Sequence, residues 1–231
     1  MITTILWDMD GTLLDFIAAE KAAIRSLFQE YGFGACTDEM LARYSKINRS
    51  YWEKLERGEM AKQEILVRRF EDFFASEGLD ASVAAAFNSQ YQLRLGDTIV
   101  FRDDSYELVK ALHGKVKQYI VSNGTIAAQN KKLRLSGIGE WMDGVYLSDE
   151  LGVEKPNVQF FDQVFDAIGP VDKTQVMIVG DSLTSDIRGG INAGIVTCWY
   201  DPDHQPAPEG MHIDHIISDL HEVPGLLDAA N

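Results

Sequence analysis

The sequence predicts an α/β protein built on a parallel, doubly wound sheet, with a four-helix segment inserted after the first strand. Three observations carry this. An apolar strand ending in Ile5-Leu6-Trp7 opens the chain and stops at a carboxylate-rich turn. The stretch 16–96 then repeats apolar residues at helical spacing and contains no strand pattern. From about Ile99 onward, short buried strands alternate with helices, the pattern of a parallel sheet covered on both faces.

The first strand runs into "ILWDMDGTLLD", Ile5 to Asp15, where Asp8 and Asp10 lie two residues apart ahead of Gly11 and Thr12. In a continuing strand the two carboxylates would point to opposite faces. A turn at Gly11 lets both face one crevice. Clustered carboxylates repel, so the site calls for a metal, a lysine or a shared proton.

Four helices follow. Phe16, Ala19, Ala23, Leu27 and Tyr31 define the first, which stops near Gly32 and Gly34. The second starts at Thr37, a suitable N-cap with Asp38 and Glu39 in the first turn, and ends near Gly58. The third, "KQEILVRRFEDFFASEG", stops at Gly78, and the fourth, "ASVAAAFNSQYQLRLG", at Gly96. Residues 1–15 and 97–231 are thus expected to form the α/β core, and 16–96 a helical cap.

In the second part, "VKQYIVSNG", "DGVYLSD", "TQVMIVGDS", "GIVTCWYD" and "DHIISD" read as strands. Between them, "SYELVKALHG", "IAAQNKKLRLSG", "NVQFFDQVFDAIG" and "TSDIRGGINAG" read as helices, and Asp201 to Gly210 is a Pro-rich loop. Ligands of such sheets sit beyond the carboxyl ends of the strands.

Composition narrows the partners. The 231 residues suffice for a core domain with an insert, at 45% hydrophobic and 25% charged. A net charge of −15, from 36 acids and 21 bases, disfavours nucleic acid polymers and anionic membranes. Cys36 and Cys198 fit a reduced compartment better than a disulfide framework. No signal peptide is expected, and no apolar run nears the roughly 18 residues of a membrane span. A cytoplasmic protein, monomer or homodimer, is the expectation.

Three strand ends carry polar residues that packing would not select. "IVSNG" places Ser122 and Asn123 before Gly124, where a hydroxyl and helix-start N–H groups suit an anion; Ser122 or Thr125 as a helix cap is the alternative. In "VEKPN", Pro156 restrains Lys155, which is either fixed at a helix head or simply solvated. In "VMIVGDSLTSD", Asp181 and Asp186 can approach one hard cation, for which Mg²⁺ is suited; capping by Asp181 or Ser182 is the alternative.

This ordered set resembles the haloacid dehalogenase-like superfamily of mainly Mg²⁺-dependent phosphatases, with its Rossmann-like core. D-x-D-G-T matches Asp8 to Thr12, the Ser/Thr after a strand matches Ser122, the Lys-Pro matches Lys155-Pro156, and G-D-x-x-x-x-D matches Gly180, Asp181 and Asp186. The resemblance implies Asp8 as nucleophile forming an aspartyl-phosphate and Asp10 as general acid, then base. It implies Mg²⁺ on Asp8, the Asp10 carbonyl and Asp181, with Asp186 behind them. Ser122, Asn123, Lys155 and backbone N–H groups would hold the phosphoryl group; Thr12 would join them, orient the acidic loop, or serve only the turn.

The stretches "KINRSYWEKLERGEM", "GVEKPN" and "DIRGGINAGIVTCWYD" further resemble the YjjG-type pyrimidine 5′-nucleotidases. That implies nucleoside monophosphates such as dUMP, dTMP and UMP, including non-canonical pyrimidines, as small phosphate monoester substrates. Asn48 and Trp52, four residues apart on one helix face, are candidates for contacting the base, with cap packing as their alternative; Phe16 is a candidate for the entrance. A sugar-phosphate phosphatase or phosphomutase shares the same motifs. A phospho-accepting receiver-like signalling protein would lack Asp10 and the helical insert.

Overall fold

The computed structural model describes residues 1–228. In chain order it forms β1 (Thr4–Trp7), α1 (Phe16–Glu30), α2 (Asp38–Glu56), α3 (Lys62–Glu77), α4 (Ala84–Arg94), α5 (Ser105–Leu112), β2 (Lys117–Ser122) and α6 (Ile126–Ser136). There follow β3 (Gly144–Leu147), α7 (Ser148–Leu151), α8 (Val158–Ile168), β4 (Val176–Gly180), a π-helical turn (Leu183–Ile187), α9 (Arg188–Ala193), β5 (Val196–Tyr200), β6 (His215–Ile217) and α10 (Val223–Leu227). The segment read as one helix from Thr184 is therefore split into the π turn and α9.

The chain divides into two units. The first comprises Met1–Asp15, Val100–Ile126 and Ser136 onward. Its sheet is parallel, in the order β3-β2-β1-β4-β5-β6. The central strands β1, β4 and β5 are buried along their whole length, as expected of strands covered on both faces. Alternation sorts their side chains. Leu6, Val121 and Ile178 pack against Phe160, Phe161 and Val164 of α8. Burial of each such side chain contributes about 2 kcal/mol. On β1, Trp7 donates its indole N–H to Gln118 Oε1 (3.1 Å), and Gln118 Nε2 reaches Val109 O of α5 (2.8 Å). Asp214 closes the Pro-rich loop by accepting the N–H and hydroxyl of Thr197, both at 2.8 Å.

The second unit comprises Phe16–Ile99 and Ala127–Leu135. Thr37 caps α2, accepting the Met40 N–H, and Gly78 ends α3 in the left-handed conformation. The interior is aromatic: Phe28, Tyr44, Phe70, Phe73, Phe74, Phe87 and Tyr91 are fully buried, and Tyr44 stacks on Phe70 at 4.9 Å. The division departs from the expected 16–96 and 97–231 in two places, since 97–99 and 127–135 join the helices. Ala128 is buried in the aromatic cluster. Lys131 donates to Leu93 O (2.8 Å) and pairs with Asp97, lying where a Cβ on Gly96 would stand 2.7 Å away. Among the described residues, no helix is long and apolar enough to cross a membrane.

Candidate active site

From β1 the chain builds β2 and β3 to one side, then returns to place β4, β5 and β6 on the other. The crevice at the carboxyl ends of β1 and β4 is therefore the topological switch point, where open α/β sheets bind ligands. Asp8 prolongs β1 by one residue, its N–H donating to Val179 O (2.9 Å). The chain then turns, with Gly11 at φ 101° and its N–H on Leu14 O (2.8 Å). Two close approaches exclude side chains here. A Cβ on Gly11 would lie 2.5 Å from Asp181 Oδ2, and one on Gly180 would lie 2.3 Å from Asp186 Cγ.

Asp8, Asp181 and Asp186 each offer a carboxylate oxygen within 4.8 Å of the others. Lys155 is fully buried behind them. Its ammonium donates to Asp8 Oδ1 (2.9 Å), Asp186 Oδ1 (2.6 Å) and Val121 O (2.8 Å). An ammonium has three N–H donors, so these bonds occupy all of them. Burial works against the Lys155 charge, but Asp186 and Asp8 together outweigh it and hold the pKa above its ordinary value. Burial, then the charges of Asp186 and Asp181 against the opposing Lys155, raises Asp8 well above the usual carboxylate range. Asp181 keeps solvent access, yet desolvation by the surrounding protein, followed by the charge of Asp186, pushes it up to about 7. When ionised, three carboxylates facing one ammonium leave two negative charges, which a divalent cation would balance. The donors are hard oxygens, and the set fits such a cation.

The remaining predicted residues divide into those turned toward this group and those engaged elsewhere. Thr12 is buried and tied to Asp181: its Oγ1 donates to Asp181 Oδ1 (3.3 Å) and accepts the Asp181 N–H (3.0 Å). Its hydroxyl thus orients a carboxylate of the acidic group. Ser122, also buried, accepts the Gly124 N–H (3.0 Å). Asn123 places both amide atoms on the backbone of Lys155, at 2.9 Å each. Asp10 is half-buried on the turn and bridges to Leu14 through the backbone. Asp149 accepts the Ile126 N–H at the start of α6 (3.1 Å), and Ser182 caps the π turn through Ser185 N–H (3.1 Å). Asp181 is left to the carboxylate group.

In the helical unit the candidate base contacts pack inward. Asn48 is buried, donating to Glu20 Oε2 (2.8 Å) and accepting from Arg69 Nη1 (2.6 Å). Trp52 is half-buried against Tyr51, Leu55 and Ile65. Phe16 packs on the aromatic cluster, with Lys132 Nζ 5.5 Å from its ring centroid.

Some participants carry no sequence signal. Trp199 donates its indole N–H to Asp181 O (3.0 Å), the Ser182 N–H binds Asp186 Oδ2 (3.1 Å), and the Val121 carbonyl binds Lys155. Residues 2–194 match the family model of haloacid dehalogenase-like hydrolases. The HAD-hydrolase YfnB of Bacillus subtilis is 34% identical over 99% of this chain and 96% of its own length. A crystal structure of YfnB bound to magnesium superposes with a TM-score of 0.92, covering 99% of both chains. The pyrimidine 5′-nucleotidase YjjG of Escherichia coli is 31% identical over 96% of each chain. The pyrimidine 5′-nucleotidase PynA of Streptococcus pneumoniae is 34% identical over 87% of this chain and 84% of its own. With its motifs gathered at the switch point of a doubly wound sheet, the chain belongs to the haloacid dehalogenase-like hydrolases.

Proposed function

We propose that this hydrolase is a Mg²⁺-dependent phosphatase that works through a phospho-aspartyl intermediate and acts on pyrimidine nucleoside 5′-monophosphates. The observation that carries the chemistry is the ammonium of Lys155 between Asp8 and Asp186, beside Asp181. Lys155 holds Asp8 Oδ1, which directs the second oxygen, Oδ2, to the phosphorus. As the Asp8–phosphorus bond forms, the bond to the leaving oxygen breaks, and Asp10 gives that oxygen its proton. Asp10 then takes a proton from water. The resulting oxygen nucleophile attacks phosphorus and frees Asp8 with release of inorganic phosphate. The hydroxyl of Ser122 and nearby backbone N–H groups hold the phosphoryl oxygens.

Asp8, Asp181 and the Asp10 carbonyl would bind Mg²⁺, with Asp186 supporting them from behind. The bound ion supplies positive charge to the phosphoryl oxygens as they gain charge. Two functions are served by two acids because one must be charged while its neighbour carries a proton.

The pyrimidine substrate is supported by the two nucleotidases among the relatives. Steady-state kinetics of dUMP, dTMP, dAMP, dGMP and a sugar phosphate tests it. A kcat/KM for dUMP or dTMP at least tenfold above the purines is the expected result. Equal efficiency across bases, or preference for the sugar phosphate, would overturn the nucleotide assignment and leave the phosphatase chemistry standing. Release of an isomer in place of inorganic phosphate would make it a mutase.

A further inference from the structure

We propose that Asn123 is a positioning residue: its side-chain amide grips both backbone polar groups of Lys155 and so sets the reach of the lysine to Asp8 and Asp186. The inference rests on the reading of Asp8 and Lys155 given above. Asn123 Oδ1 accepts the Lys155 N–H and Asn123 Nδ2 donates to the Lys155 carbonyl, both at 2.9 Å. A carboxamide has the same donor and acceptor as a peptide group, so this pairing acts like one rung of a strand ladder. Asn123 is itself buried. One residue on, Asn192 Nδ2 donates to Pro156 O (3.0 Å) and steadies the same segment.

The other end of the lysine is held from the same strand end, since Nζ donates to Val121 O. Residues 121 and 123 therefore fix Lys155 at its backbone and at its ammonium, with Ser122 between them. A lysine side chain is flexible, and both carboxylate contacts depend on where its Cα stands. Without the amide, the backbone around Lys155 loses two bonds and the ammonium loses its fixed origin. A displacement near 1 Å at a reacting group costs about 100-fold in rate.

The test is a double-mutant cycle on p-nitrophenyl phosphate hydrolysis, with Asn123→Ala, Lys155→Ala and the double variant, and Asn123→Ser as a milder replacement should Asn123→Ala not fold. Asn123→Ala is expected to lower kcat about 30- to 100-fold with KM and inorganic phosphate affinity within about threefold. In the Lys155→Ala background the same change should alter kcat by less than about threefold, because the group it positions is gone. A second readout is Mg²⁺ affinity by calorimetry, which remains measurable when Lys155→Ala abolishes turnover. Asn123→Ala should shift it in the same direction as Lys155→Ala, and should add nothing to the double variant. Additive effects in the cycle overturn the positioning role. So does weakened phosphate binding with unchanged kcat, which would make the amide a direct ligand. A Lys155→Ala protein with wild-type kcat overturns the catalytic reading itself, an outcome distinct from additivity.

Discussion

Lys155 Nζ lies 2.9 Å from Asp8 Oδ1, although 147 positions separate the two residues in the chain. The same nitrogen bonds Asp186 Oδ1 and Val121 O, so the lysine is saturated before any substrate arrives. In the proposed mechanism its work is to compensate and aim carboxylates. Removing it leaves buried negative charge unpaired, which costs about 3–5 kcal/mol. Lys155→Met is therefore expected to lose at least about 1000-fold in kcat/KM and about 3 kcal/mol of stability in chelator. Urea unfolding and phosphate release check the two parts. A variant as stable as the parent in chelator would contradict the charge accounting.

The metal-free acid cluster makes a prediction with a definite sign. Asp8 is raised well above 3.8, and Asp181 is raised from 3.8 to about 7. Above the ordinary carboxylate range the folded state therefore binds more protons than the unfolded one. The stability these groups contribute is complete below about 3.8 and lost as pH rises through their folded values. A divalent cation takes the place of those protons. The gain in Tm on adding Mg²⁺ is thus expected to be larger at pH 8 than at pH 5.5. Thermal melts with and without Mg²⁺ check it, and a gain that shrinks with rising pH would contradict it.

Thr12 acts on Asp181 across 169 positions, donating to its carboxylate and accepting its N–H. Groups that orient a metal ligand typically affect metal affinity by about 10- to 100-fold. Thr12→Val should raise the Mg²⁺ concentration for half-maximal activity by at least about tenfold, and Thr12→Ser should restore it. Equal Mg²⁺ dependence in Thr12→Val and the parent protein would sink this role.

The helical unit hides a polar core. Glu20 accepts Ser45 Oγ and Asn48 Nδ2, while Arg69 donates to Asn48 and to Asn88 Oδ1 (3.0 Å). Burial raises the Glu20 pKa, against the opposing bonds from Ser45 and Asn48 and the charge of Arg69. Asn48→Ala removes the link between a buried acid and a buried guanidinium, at an expected cost of about 3 kcal/mol. Denaturant unfolding checks this, together with an unchanged KM for p-nitrophenyl phosphate. Full stability with a raised KM for pyrimidine nucleotides alone would make Asn48 a base contact.

These cases show what the sequence made legible. Strand-helix alternation after Ile99 gave the sheet, and polar residues at the ends of apolar strands marked Ser122, Lys155, Asp181 and Asp186, because a buried strand has no packing use for them. The partners of those residues were not legible. Thr12 reads as a turn residue, and Asn123 as an anion-binding neighbour of Ser122, until the fold brings Asp181 and Lys155 beside them. Helical spacing marked the face of Asn48 but not the fact that Glu20 and Arg69 await it there. The stretch "AAQNKKLRL" of α6 falls within the expected α/β unit, since nothing local records that Ala128 enters the aromatic cluster.

Asp10 separates the two halves of the proposed mechanism. It stands on the turn that Gly11 permits, two residues beyond the carboxylate held by Lys155. As general acid it would protonate the leaving oxygen. A nucleoside leaves as an alkoxide, a strong base that needs that proton during bond breaking. p-Nitrophenolate is a weak base and leaves without it. Asp10→Asn keeps the size of the side chain but has no transferable proton. Its kcat for dUMP should therefore fall by at least about 100-fold, while the first half-reaction with p-nitrophenyl phosphate is largely spared. The phospho-aspartyl form then accumulates with the second substrate, because the base that activates water is also lost. The expected signature is a burst of p-nitrophenolate, near one equivalent per protein, followed by slow turnover. Rapid-mix absorbance and acid-quench detection of bound phosphate check it together. Equal losses on both substrates without a burst would remove Asp10 from the acid-base role and leave the site of Asp8, Asp181, Asp186 and Lys155 to be explained without it.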